Sequence, residues 1–176
     1  MGKVREPLDI DCGLPLALEV MGERWSFMIL RAAFNRIQHF EDFLTATGIA
    51  RNILSNRLAN LVAHGIMERE QLAEDRRKVE YRLTQKGMDL LPALLALRQW
   101  GEKYGLGVPS NPVLVDNRDC LPIAPIGVRG HDDRKLSYAD LQWLDRSEVG
   151  KVGSECAGPA AEEIPGWHAV ERTDRE

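Results

Sequence analysis

Four residues in one short stretch carry side chains able to read the edges of nucleic-acid bases: Arg51, Asn52, Ser55 and Asn56. An asparagine amide can pair with the edge of adenine and an arginine guanidinium with guanine, and a serine hydroxyl can serve either. The stretch Ile49–Val62 has helical spacing, with Leu54, Leu58, Leu61 and Val62 on one apolar stripe. Asn52, Ser55, Asn56, Ala59 and Asn60 fall on the other side. That outer face is short-chained and rich in amides, unlike the Glu/Lys mixture of an ordinary solvated helix. A solvated helix remains the plain alternative when this segment is read alone.

The surrounding elements shift the balance. Phe40–Thr47 predicts a short helix with Phe40, Phe43 and Leu44 inward, and Gly48 marks the turn into the second helix. After Gly65, the segment Ile66–Gln71 and the segment Val79–Leu83 alternate in polarity as strands do. Between them lies a charged turn containing Arg76, Arg77 and Lys78. A helix-turn-helix followed by a hairpin with a basic tip is a winged helix. Its second helix enters a major groove while tip cations reach phosphates. Arg57, and Arg24 at the start of an earlier helix, are further candidates for phosphate contacts.

Composition bounds the rest. The 176 residues suggest one domain with an appendage. The net charge of -4 is unevenly spread. Residues 1–104 carry 15 Lys/Arg against 14 Asp/Glu, whereas residues 105–176 carry 8 against 13. The acidity therefore sits in the C-terminal part, away from the candidate nucleic-acid face. No apolar run is long enough to span a bilayer, and the N-terminus lacks the apolar core of a signal peptide, so a cytoplasmic protein is expected. Cys12, Cys120 and Cys156 are odd in number and widely spaced, which argues against a disulfide framework.

Before the helix-turn-helix, Leu14–Met21 and Trp25–Phe34 predict two apolar helices separated by Gly22. After the hairpin, Thr84 is the expected cap of one long helix, Gln85–Tyr104, bent at Pro92. Its apolar residues exceed what one small domain can cover. Leu94, Leu97 and Trp100, with Leu14 and Leu16 of the first helix, are therefore expected to form a homodimer interface. The alternative is a helix folded back on its own domain. Met21, Trp25, Met28 and Trp100 are candidates to line a cleft for an apolar effector, though such side chains at helical spacing are more often core.

The series of motifs resembles the HxlR-type winged-helix transcriptional regulators. It starts with Cys12-Gly-Leu-Pro-Leu-Ala-Leu-Glu-Val-Met-Gly-Glu-Arg-Trp25 and continues through Ile29-Leu30-Arg31, Phe40-x-x-Phe-Leu44 and Leu54-x-x-Arg-Leu58. Gly65-Ile66-Met67-x-Arg69, Val79-Glu-Tyr-Arg-Leu-Thr84, Lys86-Gly87, Leu91-Pro92 and Trp100 complete it. The resemblance covers about residues 10–104. It implies a bacterial-type homodimer that binds a pseudo-palindromic site on double-stranded DNA, controls transcription and often answers to oxidants or reactive small molecules. Some relatives use the cysteine at the position of Cys12 as a redox switch. The helix that follows would favour a thiolate at Cys12, whereas Asp9 and Asp11 would oppose it. The alternative is a small apolar residue packed at the dimer interface. One departure is Ala50, where the family commonly has a Ser or Thr cap; Thr47 is the candidate substitute.

The expected architecture is mainly α with a small β-hairpin wing. Residues 10–106 form the DNA-binding and dimerisation domain, 111–144 a small β-rich extension, and 145–176 a disordered tail. Some relatives carry paired cysteines in such an extension. Here Cys120 and His131 fall short of the four ligands of a tetrahedral zinc site, so neither metal nor cofactor is expected. An enzyme is not expected either, because nothing positions Ser26, His39 and Asp42 as a triad. The competing class is a winged helix that docks protein instead of DNA, with the acidic extension as its surface.

Overall fold

The computed structural model describes residues 12–22, 24–72, 78–105, 111–142 and 149–150. Six helices and one hairpin account for most of them. They are α1 (Gly13–Met21), α2 (Arg24–Phe34), α3 (Phe40–Thr47), α4 (Arg51–Ala63), β1 (Met67–Gln71), β2 (Val79–Leu83), α5 (Gln85–Met88) and α6 (Leu91–Tyr104). The chain divides into two units, residues 1–124 and 125–176.

The core of the first unit forms where α2, α3, α4 and the hairpin converge. Ile29, Leu30, Phe43, Leu54, Leu58, Leu61, Ile66 and Met67 are buried there. Each fully buried side chain of this size contributes about 1.5–3 kcal/mol. On α4 the buried residues recur at Leu54, Leu58 and Leu61, one face of a 3.6-residue repeat, as the sequence predicts. The strands pair antiparallel in the register Met67↔Leu83 to Gln71↔Val79. Tyr81 points inward and meets Phe43 edge-on at 6.5 Å between ring centroids. The segment before α3 joins this sheet. His39 bridges to Glu80, and Tyr81 N–H donates to the Gln38 carbonyl at 2.8 Å.

The helix expected over Gln85–Tyr104 is two helices, and Pro92 starts the second instead of bending a single one. α5 ends after Met88, Asp89 and Leu90 form a turn, and the proline lies in the first turn of α6. A proline there loses no hydrogen bond, because first-turn N–H groups have no partner inside the helix. Thr84 caps α5 as expected, accepting from Gly87 N–H at 3.2 Å.

The same corner ties the hairpin to α4. Thr84 Oγ1 donates to the Gly65 carbonyl at 2.6 Å, and Lys86 Nζ donates to the His64 carbonyl at 2.8 Å. A cation on the last carbonyls of α4 suits the negative end of its dipole. Gly87 is buried here, and a Cβ on it would stand 2.2 Å from the Ile66 carbonyl oxygen. Only glycine fits.

The β-rich extension expected from residue 111 is less regular than its alternation implies. Within the first unit it holds one isolated bridge, Val115↔Pro122, and its start lies against α2 and α6. The second unit holds another bridge, Arg129↔Lys135, and one 3-10 turn, Tyr138–Asp140. Short apolar runs next to prolines and Asp/Asn turns have too few ladder partners to extend a sheet. The disordered tail expected over residues 145–176 falls outside the described residues apart from Val149 and Gly150.

Candidate nucleic-acid interface

α3 and α4 meet through a three-residue turn, Gly48 to Ala50. Gly48 closes α3 in the left-handed region at φ 66°, its N–H bonded to the Leu44 carbonyl, and the Ile49 side chain plugs the core. Ala50 is the N-cap of α4 and makes no side-chain cap. Thr47 does not replace it. Its hydroxyl donates back to the Phe43 carbonyl at 2.6 Å and accepts from Ile49 N–H at 3.4 Å, so it braces the turn and not α4 itself. The first N–H groups of α4 therefore receive no acceptor from the side chain of Ala50. That is the arrangement a phosphate oxygen would complete.

With Leu54, Leu58 and Leu61 buried, the opposite face of α4 presents Arg51, Asn52, Ser55, Asn56 and Ala59 to solvent. Asn60, expected on that face, is instead half-buried. Its amide donates to the Val20 carbonyl at 3.2 Å, joining α4 to the end of α1. Arg51 is exposed but engaged. It holds Glu41 through two bonds of 2.7 and 2.8 Å and lies over the Phe40 ring, 5.3 Å from its centroid. The guanidinium keeps the Glu41 carboxyl below its ordinary range, chiefly by hydrogen bonding, and Glu41 raises Arg51 in return.

The expected phosphate contacts are scattered more widely. Lys78 is exposed at the start of β2, and its carbonyl accepts from Leu72 N–H at 3.1 Å across the hairpin. Arg76 and Arg77 lie outside the described residues. Arg57 is half-buried on α4, with its Nη1 beside Gly22, where a Cβ would stand 3.3 Å away. Arg24 is exposed and stacks on Trp25 at 4.2 Å from the ring centroid. Sequence reasoning passed over Arg69 and His39. Both line an open recess between α3 and the hairpin that they share with Lys78 and Glu41. The signal for Arg69 was available in the alternation of β1, which sets it opposite Tyr81. Arg82, by contrast, is neutralised by Glu80 at 2.6 Å and Glu70 at 3.3 Å.

The four residues expected to line an effector cleft differ in exposure. Met21 is buried in the core, Trp25 and Met28 are half-buried, and Trp100 is exposed on α6 against Tyr104. The expected dimer residues are mostly exposed. Leu14, Leu16, Leu97 and Trp100 are 61%, 67%, 54% and 65% exposed, while Leu94 is half-buried. Cys12 is exposed immediately before α1. Among the described residues no three His, Cys, Asp or Glu side chains gather as a metal site, and no helix is long and apolar enough to cross a membrane.

Comparison with known proteins agrees with this geometry. The family described as HxlR-like helix-turn-helix matches residues 20–107, half of the chain. An uncharacterized HTH-type transcriptional regulator of Mycobacterium tuberculosis is 39% identical over 104 residues, which is 59% of this chain and 66% of that protein. The chain thus spans just under two thirds of that relative's length. An uncharacterized HTH-type transcriptional regulator of Bacillus subtilis, YdeP, is 31% identical over 94 residues, 53% of this chain and 73% of that protein. Among solved structures, the protein PA1607 superposes with a TM-score of 0.71 at 39% identity, covering 78% of this chain and 96% of the other. The relatives are named as transcriptional regulators and not as enzymes. On its motifs, its winged helix-turn-helix fold and the match over half its length, the chain belongs to the HxlR-like helix-turn-helix family of transcriptional regulators.

Proposed function

We propose that this protein is a sequence-specific DNA-binding regulator acting as a homodimer. The observation that supports this reading most directly is the division of α4. Its leucines are consumed by the core, while Asn52, Ser55 and Asn56 stand exposed and short enough to approach base edges. α4 enters the major groove, with Arg51, Asn52, Ser55 and Asn56 reading bases. Lys78, Arg76, Arg77, Arg24 and Arg57 are the cations offered to the backbone.

Dimerisation supplies the second half-site. Leu14 and Leu16 of α1 and Leu97 and Trp100 of α6 are large apolar side chains left in water by the monomer, and Leu94 is half-buried. Pairing two copies through them buries this area and sets two α4 helices against a pseudo-palindromic site. The exposed thiol of Cys12, at the head of α1, is the group through which an oxidant would reach this interface.

The experiment is binding of the full chain to DNA fragments flanking its own gene, across a salt series and with sedimentation to give the stoichiometry. The reading expects two chains per site and affinity that falls steeply with salt. Failure to prefer any fragment over random duplex would overturn sequence-specific regulation. If Cys12→Ser left release by diamide unchanged, the thiol would have no part in sensing.

A further inference from the structure

A cleft of about 250 Å³ opens in the first unit between α2, α6 and the strand-like segment that follows them. Phe34 of α2 and Leu91, Leu94 and Leu95 of α6 give it an apolar floor. Pro112, Val113 and Leu114 form one wall. Two guanidinium groups, Arg31 and Arg98, stand among these apolar side chains.

The partners of those two arginines make the cleft chemically distinctive. Arg31 Nη2 donates to the Asn111 carbonyl at 3.3 Å, and among the described residues it has no carboxylate partner. Arg98 Nη2 donates to the Pro112 carbonyl, and its Nε reaches Glu102 Oε1 at 3.3 Å. The side chain of Arg98 is only 24% exposed. Two cations therefore share one apolar recess with a single carboxylate between them, and the remaining bonds go to neutral peptide oxygens. A guanidinium is most strongly engaged by a carboxylate, which takes two parallel N–H groups at once. Arg31, which is exposed and bonded to a neutral acceptor, leaves that capacity unused, and Arg98, partly buried, gives only its Nε to Glu102 and turns its outer nitrogen to a peptide oxygen.

We propose that this cleft binds a small organic acid: one apolar ring or short chain carrying a single carboxylate. The ring lies on Phe34, Leu91, Leu94 and Leu95, and the carboxylate meets Arg31 and Arg98 in place of the Asn111 and Pro112 carbonyls. The volume sets the size. Ligand sites commonly run from about 300 to 1,000 Å³, so a cleft at or below the lower end admits a single ring and excludes a polycyclic or nucleotide ligand. Leu94 is also one of the residues assigned above to dimerisation. Binding itself needs neither DNA nor a partner chain, so this inference stands or falls apart from the proposed regulatory function.

Titration calorimetry of the full chain with benzoate and with phenylacetate, each against the isosteric neutral amide, provides the test. The carboxylates are expected to bind at least tenfold more tightly than benzamide and phenylacetamide. Arg31→Gln, an exposed position, should remove most of that preference. Arg98→Gln should do the same, and its melting temperature is checked alongside. Val113→Trp, which fills the recess from its exposed wall, should weaken acid and amide together. Equal affinity for acid and amide, or a preference that survives Arg31→Gln, would overturn the proposal. So would the absence of measurable binding by either acid at millimolar concentration.

Discussion

Arg51 grips Glu41 with both arms of its guanidinium, Nη1 at 2.7 Å from Oε1 and Nη2 at 2.8 Å from Oε2. The pair spans the two helices of the helix-turn-helix, and it occupies the arginine that the sequence assigns to base reading. Binding DNA through Arg51 requires that grip to be exchanged for a base or a phosphate. Glu41 thus holds the side chain in a defined place and, under the proposed function, would compete with DNA for it. Replacing Glu41 with Gln is expected to tighten binding to random duplex and to steepen its salt dependence. Arg51→Ala should weaken binding to the preferred site at least tenfold. Electrophoretic mobility shifts at several salt concentrations read both outcomes.

The same pair has a signature in acid. Glu41 is held below its ordinary range by Arg51, so its contribution to folding is present above the unfolded carboxyl pKa and fades as pH falls through the folded value. Asp116, held down by Arg118, and Asp140, held down by Ser137, act in the same direction. Thermal stability should therefore fall as pH drops from about 6 to about 3. Glu41→Gln should melt slightly below the parent at neutral pH and level with it near the acid end. Both partners are exposed, so the difference is small. A gap that widened in acid would contradict the assignment.

Asn52 and Asn56 should separate from Lys78 in the kind of damage their loss does. Removing either amide is expected to change which operator sequence is preferred, at about 1–3 kcal/mol for a lost bidentate base contact. Lys78→Ala should weaken all sequences alike and lower the salt slope by about 1. Selection from a random-sequence library, run with each variant, distinguishes the two patterns.

The missing cap of α4 invites a gain of stability. Ala50 already has the extended conformation of an N-cap, φ −65° and ψ 141°. Ala50→Ser should supply the absent acceptor and raise stability by about 1 kcal/mol. A denaturant titration reads it as a higher midpoint at unchanged slope. Gly87→Ala should move the midpoint the other way by about 1–3 kcal/mol or more, because its Cβ would meet the Ile66 carbonyl.

The apolar surface of α1 and α6 yields a separate prediction. Trp100→Glu places a charge on a side chain that is 65% exposed in the monomer, so the fold should survive it. Sedimentation velocity is expected to show two copies for the parent and one for the variant. An unchanged sedimentation coefficient would place the interface elsewhere.

Much of this was legible in the sequence because periodicity reports burial. Leu54, Leu58 and Leu61 announced the inner face of α4, and the alternation of Val79, Tyr81 and Leu83 announced β2. What periodicity could not give was the direction of side chains at the margins of a face. Asn60 lies at such a margin, and the nearby end of α1 decides its partner. Arg57 turns toward Gly22 for the same kind of reason. The sequence around Pro92 predicts a kink because its helical flanks hide the turn at Asp89 and Leu90. The apolar runs after residue 111 looked like strands, since short alternation carries no information about whether a neighbouring strand exists to pair with. The cleft between Arg31 and Arg98 was invisible for a related reason: its two cations are 67 positions apart, and only the packing of α2 against α6 unites them.

The bonds from Thr84 to Gly65 and from Lys86 to His64 carry a mechanical implication. They fasten the far end of α4 to the root of the hairpin, so the two elements resist tilting apart. In the proposed homodimer, a shift of this corner would carry α4 and the hairpin together, and so would alter the spacing between half-sites before the contacts within either one. Control of such a regulator would then be a matter of reach across the operator and not of grip upon it.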